Sequence, residues 1–560
     1  MDSTIYEAVG IFKLNDDVFH YIFSINSLSS SYDGKQYFLG GPVETTRNCS
    51  QVCALWRGII LNSTSIWANC IDIDDLQQDG DEWRNEILRR TGNASLSVYS
   101  EDGVDVDTKG HSFLLDLLQN HWYRMKVLQI TFNSLEAIND LAIWGAFGSP
   151  APHLQTFFIC VNNSEGTEVQ TNILHPIGFR LFSGYAPLIT EFYISSMQHA
   201  VPVLFKIPLI PQFLVTPRLR VLQLCQAAEL FPDDVFVACK QMPNLVELGV
   251  ILKSSPSLFA GCIELARLEK IRVISRSLDT FSDFVGRINT QLGCVLDCTI
   301  WRDQIEGQPH ATTARDLIGF RRILWHYATC VFERCRDGQT AVQRVELSFL
   351  PQVLSCQLFQ RPHNTRFILS PRSDDEMLLY AILTGTIDIF SSFRFSNTIS
   401  ELDLSLFEIS DNYRDIGDGN LQYSGDHSAI YTSLGRIFSF LDSVTVLEVG
   451  MDTLKSLVKI WELQLTKTLF PWLEVIYPIR PSKEDDFHFL GPFLSRPKAI
   501  RRYESLDFTL SCYKGHALEL GDLRYLEDFL GLKVDWIQDD KLVEYVCGTG
   551  RPEVLLWWAI

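Results

Sequence analysis

Apolar residues near the N-terminus recur at the spacing of amphipathic helices. From residue 14 to residue 25 they return every three or four positions, which predicts a first helix, and Asn15 is a typical N-cap residue for it. Residues 27–45 show no helical period and are predicted to form a loop. A second helix is predicted over residues 48–60, and Ile66 opens a third short apolar element. The predicted apolar faces are Leu14, Val18, Ile22 and Ile25, widened by Phe19 and Phe23, in the first helix, and Val52, Leu55, Trp56, Ile59 and Ile60 in the second.

Further along the chain the pattern changes to short runs in which the first, fourth and sixth residues are apolar. Between Met125 and Leu268 these runs begin 23 to 35 residues apart, and helical patterns separate them. A proline two residues before several runs ends the preceding helix and favours an extended segment. The runs begin at Met125, Leu154, Ile189, Leu219, Leu245, Leu268, Val295, Val342, Ile399, Val444 and Leu473, with a shorter copy at Leu96.

A strand followed by a helix every 25 to 30 residues or so is typical of a leucine-rich repeat, whose units stack into a solenoid. The pattern therefore predicts an α/β protein with a curved leucine-rich-repeat-like solenoid of alternating strands and helices. The alternative is an ordinary α/β domain whose strands share the pattern. Intervals of 47 residues after Val295 and 57 residues after Val342 indicate either two weak repeats or inserted loops. Residues 412–427 are polar and glycine-rich, and we predict a loop there.

The amino-acid composition excludes some classes of binding partner and indicates a cellular compartment. The chain has 48 Lys and Arg residues against 68 Asp and Glu residues, a net charge of −20, which argues against a general nucleic-acid or anionic-membrane binder. Its N-terminus lacks the pattern of a signal peptide, and its most apolar stretch, residues 201–215, contains Lys206 and three prolines and is too short to span a bilayer. The 14 cysteines include no Cys-x-x-Cys pair and are expected to be reduced. We expect a protein of the cytoplasm or nucleus.

The common sequence motifs of catalytic and cofactor-binding sites do not occur in the sequence. Phosphate-binding loops, dinucleotide-binding glycine motifs, nucleophile elbows and the zinc-protease motif are all missing. The acidic run Asp72, Asp74 and Asp75 lacks the spacing of a calcium loop and is predicted to be a solvated loop. We therefore predict no catalytic residue, no cofactor and no metal site. An enzyme on an α/β fold is the least favoured hypothesis.

The N-terminal helices resemble a known family. The residues Leu14, Val18, Ile22 and Phe23, then Val52-Cys53-x-x-Trp56-Arg57-x-Ile59, and then Ser65-Ile66-Trp67 resemble an F-box, in the form common in large fungal (basidiomycete-type) families. The resemblance covers residues 14–69. The family pattern has a proline after its first leucine and another before its Leu-Trp pair, whereas this chain has Asn15 and Ser65 at those positions.

The resemblance implies a three-helix F-box domain over residues 1–72, with the solenoid over residues 73–480 and a capping region over residues 481–560. It also implies a substrate-recognition subunit of an SCF-type (cullin–RING) ubiquitin ligase, which binds a Skp-type adaptor through the helices and a target protein through the solenoid. The alternatives are a leucine-rich-repeat-like protein-binding scaffold with no ligase role, and a helical segment that merely covers a larger domain. The expected adaptor-binding residues are Leu14, Val18, Ile22, Phe23, Val52, Trp56, Ile59, Ile66 and Trp67.

Overall fold

The chain forms two compact units, Met1–Leu268 and Glu269–Ile560. In the first unit the computed structural model describes residues 14–27, 41–78, 80–138, 140–162, 180–196, 210–225, 229–255 and 261–268. In the second it describes residues 269–275, 277–290, 294–301, 318, 322–323, 344–350, 353–359, 364–372, 401–406, 428–441, 443–463, 470, 473, 475–479, 493, 507–510, 524–538 and 541–551. The predicted loop over residues 412–427 lies outside these residues.

Within the described residues, the first unit opens with four helices, where the sequence predicted three. They are α1 (Asp16–Asn26), α2 (Pro42–Val52), α3 (Ala54–Asn62) and α4 (Thr64–Asn69). The N-cap prediction for α1 is confirmed, because the side chain of Asn15 accepts a hydrogen bond from the backbone N–H of Val18 at 2.9 Å. The loop predicted to reach residue 45 is wrong at its end, since α2 begins at Pro42, a residue suited to the first helical turn.

The single second helix predicted over residues 48–60 is also wrong, because the chain breaks at Cys53. This residue is extended, with φ −155° and ψ 168°, and its thiol accepts a hydrogen bond from the backbone N–H of Trp56 at 3.5 Å. Cys53 thereby ends α2 and caps α3. Ser63 does the same between α3 and α4, since its hydroxyl accepts from the N–H of Ile66 at 3.4 Å.

The rest of the first unit alternates strands and helices around a parallel sheet. Its remaining elements are β1 (Ile71–Asp72), α5 (Glu82–Thr91), β2 (Leu96–Val104), α6 (Lys109–His121), β3 (Met125–Phe132), α7 (Leu135–Ile138), α8 (Leu141–Phe147), β4 (Thr156–Val161), β5 (Glu191–Ser196), β6 (Val221–Gln223), β7 (Glu229–Leu230), α9 (Pro232–Cys239), β8 (Glu247–Leu252) and β9 (Ile263–Leu265). The strand order is β1-β2-β3-β4-β5-β6-β8, the two-residue strand β7 pairs with β8 along the same edge as β6, and every pair is parallel. Short 3-10 turns at Leu181–Gly184 and Gln212–Leu214 precede β5 and β6.

The apolar positions that predicted these strands line up in the sheet. Leu128 lies opposite Val98 on one side and Phe157 on the other, and the same row continues through Phe192, Leu222 and Leu248. All six side chains are fully buried. Phe147 of α8 contacts Phe157, with ring centroids 5.1 Å apart, so this face of the sheet carries the helices. The apolar residues of the predicted runs therefore share one buried row of the sheet in the first unit.

The second unit is also mixed α/β and mostly parallel. Its elements are β10 (Lys270–Ser275), α10 (Leu278–Val285), β11 (Ile288–Thr290), β12 (Val295–Trp301), β13 (Arg344–Leu350), β14 (Val353–Phe359), β15 (Asn364–Arg372), β16 (Glu401–Leu406), α11 (Ser428–Phe438), β17 (Val446–Gly450), α12 (Met451–Leu463), β18 (Val475–Ile479), β19 (Asp507–Leu510), β20 (Lys533–Gln538) and β21 (Lys541–Val546). The 3-10 turn Arg524–Asp528 precedes β20.

An antiparallel insertion explains the longest irregular interval of the sequence pattern. Strands β13, β14 and β15 form an antiparallel meander, in which β15 is parallel to β12 and β13 is parallel to β16. The runs that begin at Val295 and Val342 therefore form strands that are not neighbours in the sheet. After the meander the sheet continues in parallel from β16 through β17, β18 and β19 to β20, and β21 closes it as an antiparallel strand.

Candidate functional site

Helix α1 carries apolar side chains on two faces. Phe19 and Phe23 are buried and stack on each other, with ring centroids 6.0 Å apart. Leu14, Val18 and Ile22 lie four residues apart and are more than one-third exposed, although their type favours burial. Ile25 extends this row by one turn. We call Val18, Ile22 and Ile25, together with Leu14 just before the N-cap, the exposed stripe of α1.

The structure divides the nine residues that the F-box resemblance singled out. Leu14, Val18, Ile22 and Val52 are exposed, and Val52 reaches 62%. Trp56 and Ile59 are partly exposed, whereas Phe23, Ile66 and Trp67 are buried. The nine residues therefore do not form one common surface, because the last three are occupied by contacts within the chain.

Trp67 shows what those inner contacts are. Its indole N–H donates to the backbone oxygen of Ile60 at 2.9 Å, which joins α4 to α3. The guanidinium of Arg90 lies 4.6 Å from its ring centre, and the ring of Trp83 meets it edge-on at 6.1 Å. Both partners belong to α5. Trp67 therefore packs the N-terminal helices against α5, within the same unit.

Four exposed apolar residues of these helices were not among the expected adaptor-binding residues. Tyr21, Ile25, Leu55 and Leu61 are all between 38% and 67% exposed. Ile25 and Leu55 were on the predicted apolar faces, so their spacing was a signal that could have included them. Tyr21 and Leu61 fall off the predicted stripes, and their exposure follows only from how the four helices pack.

The two positions where the family pattern has proline are used within the chain. Asn15 caps α1. The hydroxyl of Ser65 lies 3.2 Å from His20 Nε2, and the hydroxyl of Ser63 lies 2.8 Å from the same nitrogen. His20 of α1 is thereby tied to the junction of α3 and α4. Asn15 and Ser65 thus make polar contacts within the chain at both positions.

The acidic run after α4 is an integral part of the sheet edge. Asp74 accepts hydrogen bonds from the hydroxyl of Ser100 at 2.7 Å, the backbone N–H of Glu101 at 2.7 Å and that of Asp102 at 2.9 Å. Asp74 thereby satisfies polar groups of β2 that lie beyond the two-residue strand β1. Since Asp72 belongs to β1, the solvated-loop interpretation is wrong for both residues.

Carboxylates crowd together at this edge. Burial, reinforced by the charges of Asp74 and Asp75, raises the pKa of Asp72 to about 7. Burial also raises the pKa of Asp75, with Glu44 of α2 adding to it. In the part of the chain that the structure describes, no group of three or more His, Cys, Asp or Glu side chains is arranged to hold a metal ion.

The sheet face opposite the helices offers a second surface. Phe158 of β4 and Tyr193 of β5 are paired across the strands, and their rings stack with centroids 4.3 Å apart. One position earlier on the same face, the hydroxyl of Thr156 donates to the carboxylate of Glu191 at 3.2 Å. Gln223 follows Tyr193 in register on β6.

Comparison with known proteins adds no relative. The chain matches no family model, and no curated protein shows significant similarity to it. Within the described residues, no helix has the length and apolar composition needed to cross a membrane. Nine cysteines of the described ranges are free thiols.

Proposed function

We propose that the chain is an F-box substrate-recognition subunit of an SCF-type (cullin–RING) ubiquitin ligase. The N-terminal helices bind the Skp-type adaptor, and the strand-and-helix units, which form a leucine-rich-repeat-like solenoid, bind a target protein. The chain itself is not an enzyme in this proposal, and it works in the cytoplasm or nucleus. It acts by holding a target beside the ubiquitin-charged machinery, which raises their effective concentration.

The exposed stripe of α1 is the observation that carries the proposal. An amphipathic helix at the surface of a folded unit normally turns one apolar face inward and a polar face outward. Helix α1 already buries Phe19 and Phe23, yet it presents a second apolar row. Exposed apolar side chains in a continuous row are typical of a protein–protein interface. Helices α2 and α3 each contribute one further exposed apolar residue, Val52 and Leu55.

A division of labour between the two apolar faces follows from this arrangement. The buried face, with Phe23, Ile66 and Trp67, holds the helices together and onto the sheet. The exposed stripe of α1 supplies the adaptor contact. We therefore retain Leu14, Val18, Ile22 and Val52 as adaptor-binding residues and treat the buried three as positioning residues.

The alternative is a leucine-rich-repeat-like scaffold with no ligase role. The polar contacts of Asn15 and Ser65 favour it, because they replace the two prolines of the family pattern. Co-purification of the full chain with a Skp-type adaptor and a cullin distinguishes the two. Our proposal expects both proteins to be retained, with an established F-box protein as the positive control. A scaffold would retain neither, while still binding its partner through the sheet.

A further inference from the structure

The sheet face opposite the helices has one patch that combines aromatic rings with a carboxylate. It consists of Thr156, Phe158, Glu191 and Tyr193, which occupy two neighbouring positions on each of β4 and β5. The rings of Phe158 and Tyr193 stack at 4.3 Å, and the Glu191 carboxylate lies beside them on the Tyr193 strand. We call these four residues the aromatic–acidic patch.

The patch continues sideways into apolar and amide side chains. In the strand register, Val127 and Val221 flank the Thr156–Glu191 row. Gln129 and Gln223 flank the Phe158–Tyr193 row. A methyl group on Gly249 of β8 would overlap the Gln223 side chain, so the glycine leaves room for that carboxamide to lie across the sheet.

The charged side chains on this face of β3 to β6 and β8 are all acidic at the described positions. The described face positions of β3 to β6 and β8 include two carboxylates and no Lys or Arg. They are Val127, Gln129, Thr131, Thr156, Phe158, Cys160, Glu191, Tyr193, Ser195, Val221, Gln223, Glu247, Gly249 and Ile251. Glu191 is partly exposed, and the hydroxyl of Thr156 fixes one of its oxygens.

These groups match a cationic side chain on an extended peptide. An ammonium or guanidinium group gains a carboxylate partner at Glu191 and the ring of Tyr193, whose other face stacks on the buried ring of Phe158. Its aliphatic stem is suited to Val127 and Val221. The amide of Gln129 is partly exposed and can donate to and accept from a peptide backbone, whereas Gln223 is buried and its amide donates to Glu247 at 3.5 Å. We propose that the aromatic–acidic patch binds a Lys- or Arg-containing segment of a partner protein. Binding of such a segment does not depend on the proposed function. The inference rests on the proposed function only where it takes the segment to be part of the ubiquitination target.

The test measures fluorescence anisotropy of the full chain with a labelled peptide in which lysine alternates with leucine and alanine. Glu191→Gln keeps the size of the side chain and its acceptor for Thr156, and we expect it to weaken binding about fivefold. Glu136→Gln is the matched control, because it removes one exposed carboxylate from α7 on the helical side. We expect it to leave the affinity unchanged.

Tyr193 provides a second pair of variants. Tyr193→Leu removes the ring and should weaken binding, whereas Tyr193→Phe retains the ring and should not. Equal losses for Glu191→Gln and Glu136→Gln would overturn the proposal and show non-specific attraction to a chain of charge −20. Unchanged binding in Glu191→Gln, or equal binding of a peptide with glutamate in place of lysine, would also overturn it. Adaptor binding, measured on the same samples, should be normal in every variant, so failure here leaves the proposed function standing.

Discussion

The indole ring of Trp56 meets the phenyl ring of Phe23 edge-on, with 5.1 Å between the ring centroids. Phe19 adds a second ring at 5.8 Å from Trp56. Trp56 belongs to α3 and both phenylalanines belong to α1, so this cluster joins the two helices. Trp56 therefore acts in the packing of the N-terminal helices, and under the proposed function we expect it to affect adaptor binding only indirectly.

Replacing Trp56 with alanine should loosen the contact between α1 and α3. We expect Trp56→Ala to lower the free energy of unfolding of the first unit by about 2–4 kcal/mol. Adaptor binding should fall in parallel, because the exposed stripe of α1 loses its support. Trp56→Phe keeps a ring against Phe23 and should cost about half as much. Thermal melting and adaptor affinity are measured on the same preparations. Lost adaptor binding with an unchanged melting temperature would contradict the packing role.

The serine pair beside His20 gives a comparison within one short segment. Ser63 both caps α4 and lies 2.8 Å from His20 Nε2, whereas Ser65 makes the longer 3.2 Å contact and caps no helix. Ser63→Ala should therefore lower the free energy of unfolding by about 1–2 kcal/mol. Ser65→Ala should cost about 0.5 kcal/mol or less, as expected for a partly exposed contact. Chemical denaturation measures both, and equal costs would argue against this assignment of the cap.

Asp72 should make the first unit less stable as pH rises. Its pKa is about 7 in the folded chain, against 3.8 as the ordinary value, so the folded state keeps a proton that the unfolded state releases. Unfolding then releases a proton between about pH 4 and pH 7, and its free energy falls over that range. We expect a loss of about 1–2 kcal/mol from pH 5 to pH 7. Asp75, whose pKa is also raised, adds in the same direction.

Asp72→Asn is the control for this pH effect. The amide cannot release a proton, so the decline between pH 5 and pH 7 should become shallower. Glu86, which is paired with Arg89 and Arg90, has a pKa of about 2 in the folded chain and changes its charge little above pH 5, so it adds little to this decline. Parallel stability curves for wild type and Asp72→Asn between pH 5 and pH 8 would refute the role of Asp72.

The strands could be predicted from the sequence because burial fixes their register. Each run places apolar residues on the face that carries the helices, so Leu128, Phe157 and Phe192 had to align. The meander of β13, β14 and β15 could not be predicted in the same way. Its strands resemble the other runs one by one, and only their pairing makes them antiparallel.

The sequence predicted where the helices of the candidate adaptor site lie, but it did not predict which of their apolar residues are exposed. Apolar periodicity correctly located α1, but it could not say which of two apolar faces is buried, since Phe23 and Ile22 are neighbours in sequence and differ only in orientation. The break at Cys53 was hidden for a related reason. Val52, Trp56 and Ile59 keep a helical spacing across it, and cysteine is not a residue that normally signals an N-cap.

The most direct test of the central claim is the affinity of the full chain for a Skp-type adaptor when one side chain of the exposed stripe is changed. Ile22→Asp places a charge at a site that is 37% exposed, and Leu141→Asp does the same on α8 at a site that is 77% exposed. The account predicts that Ile22→Asp weakens adaptor binding at least about tenfold with an unchanged melting temperature, and that Leu141→Asp has no effect. Wild-type affinity in Ile22→Asp, or no adaptor binding by the wild-type chain, would contradict it.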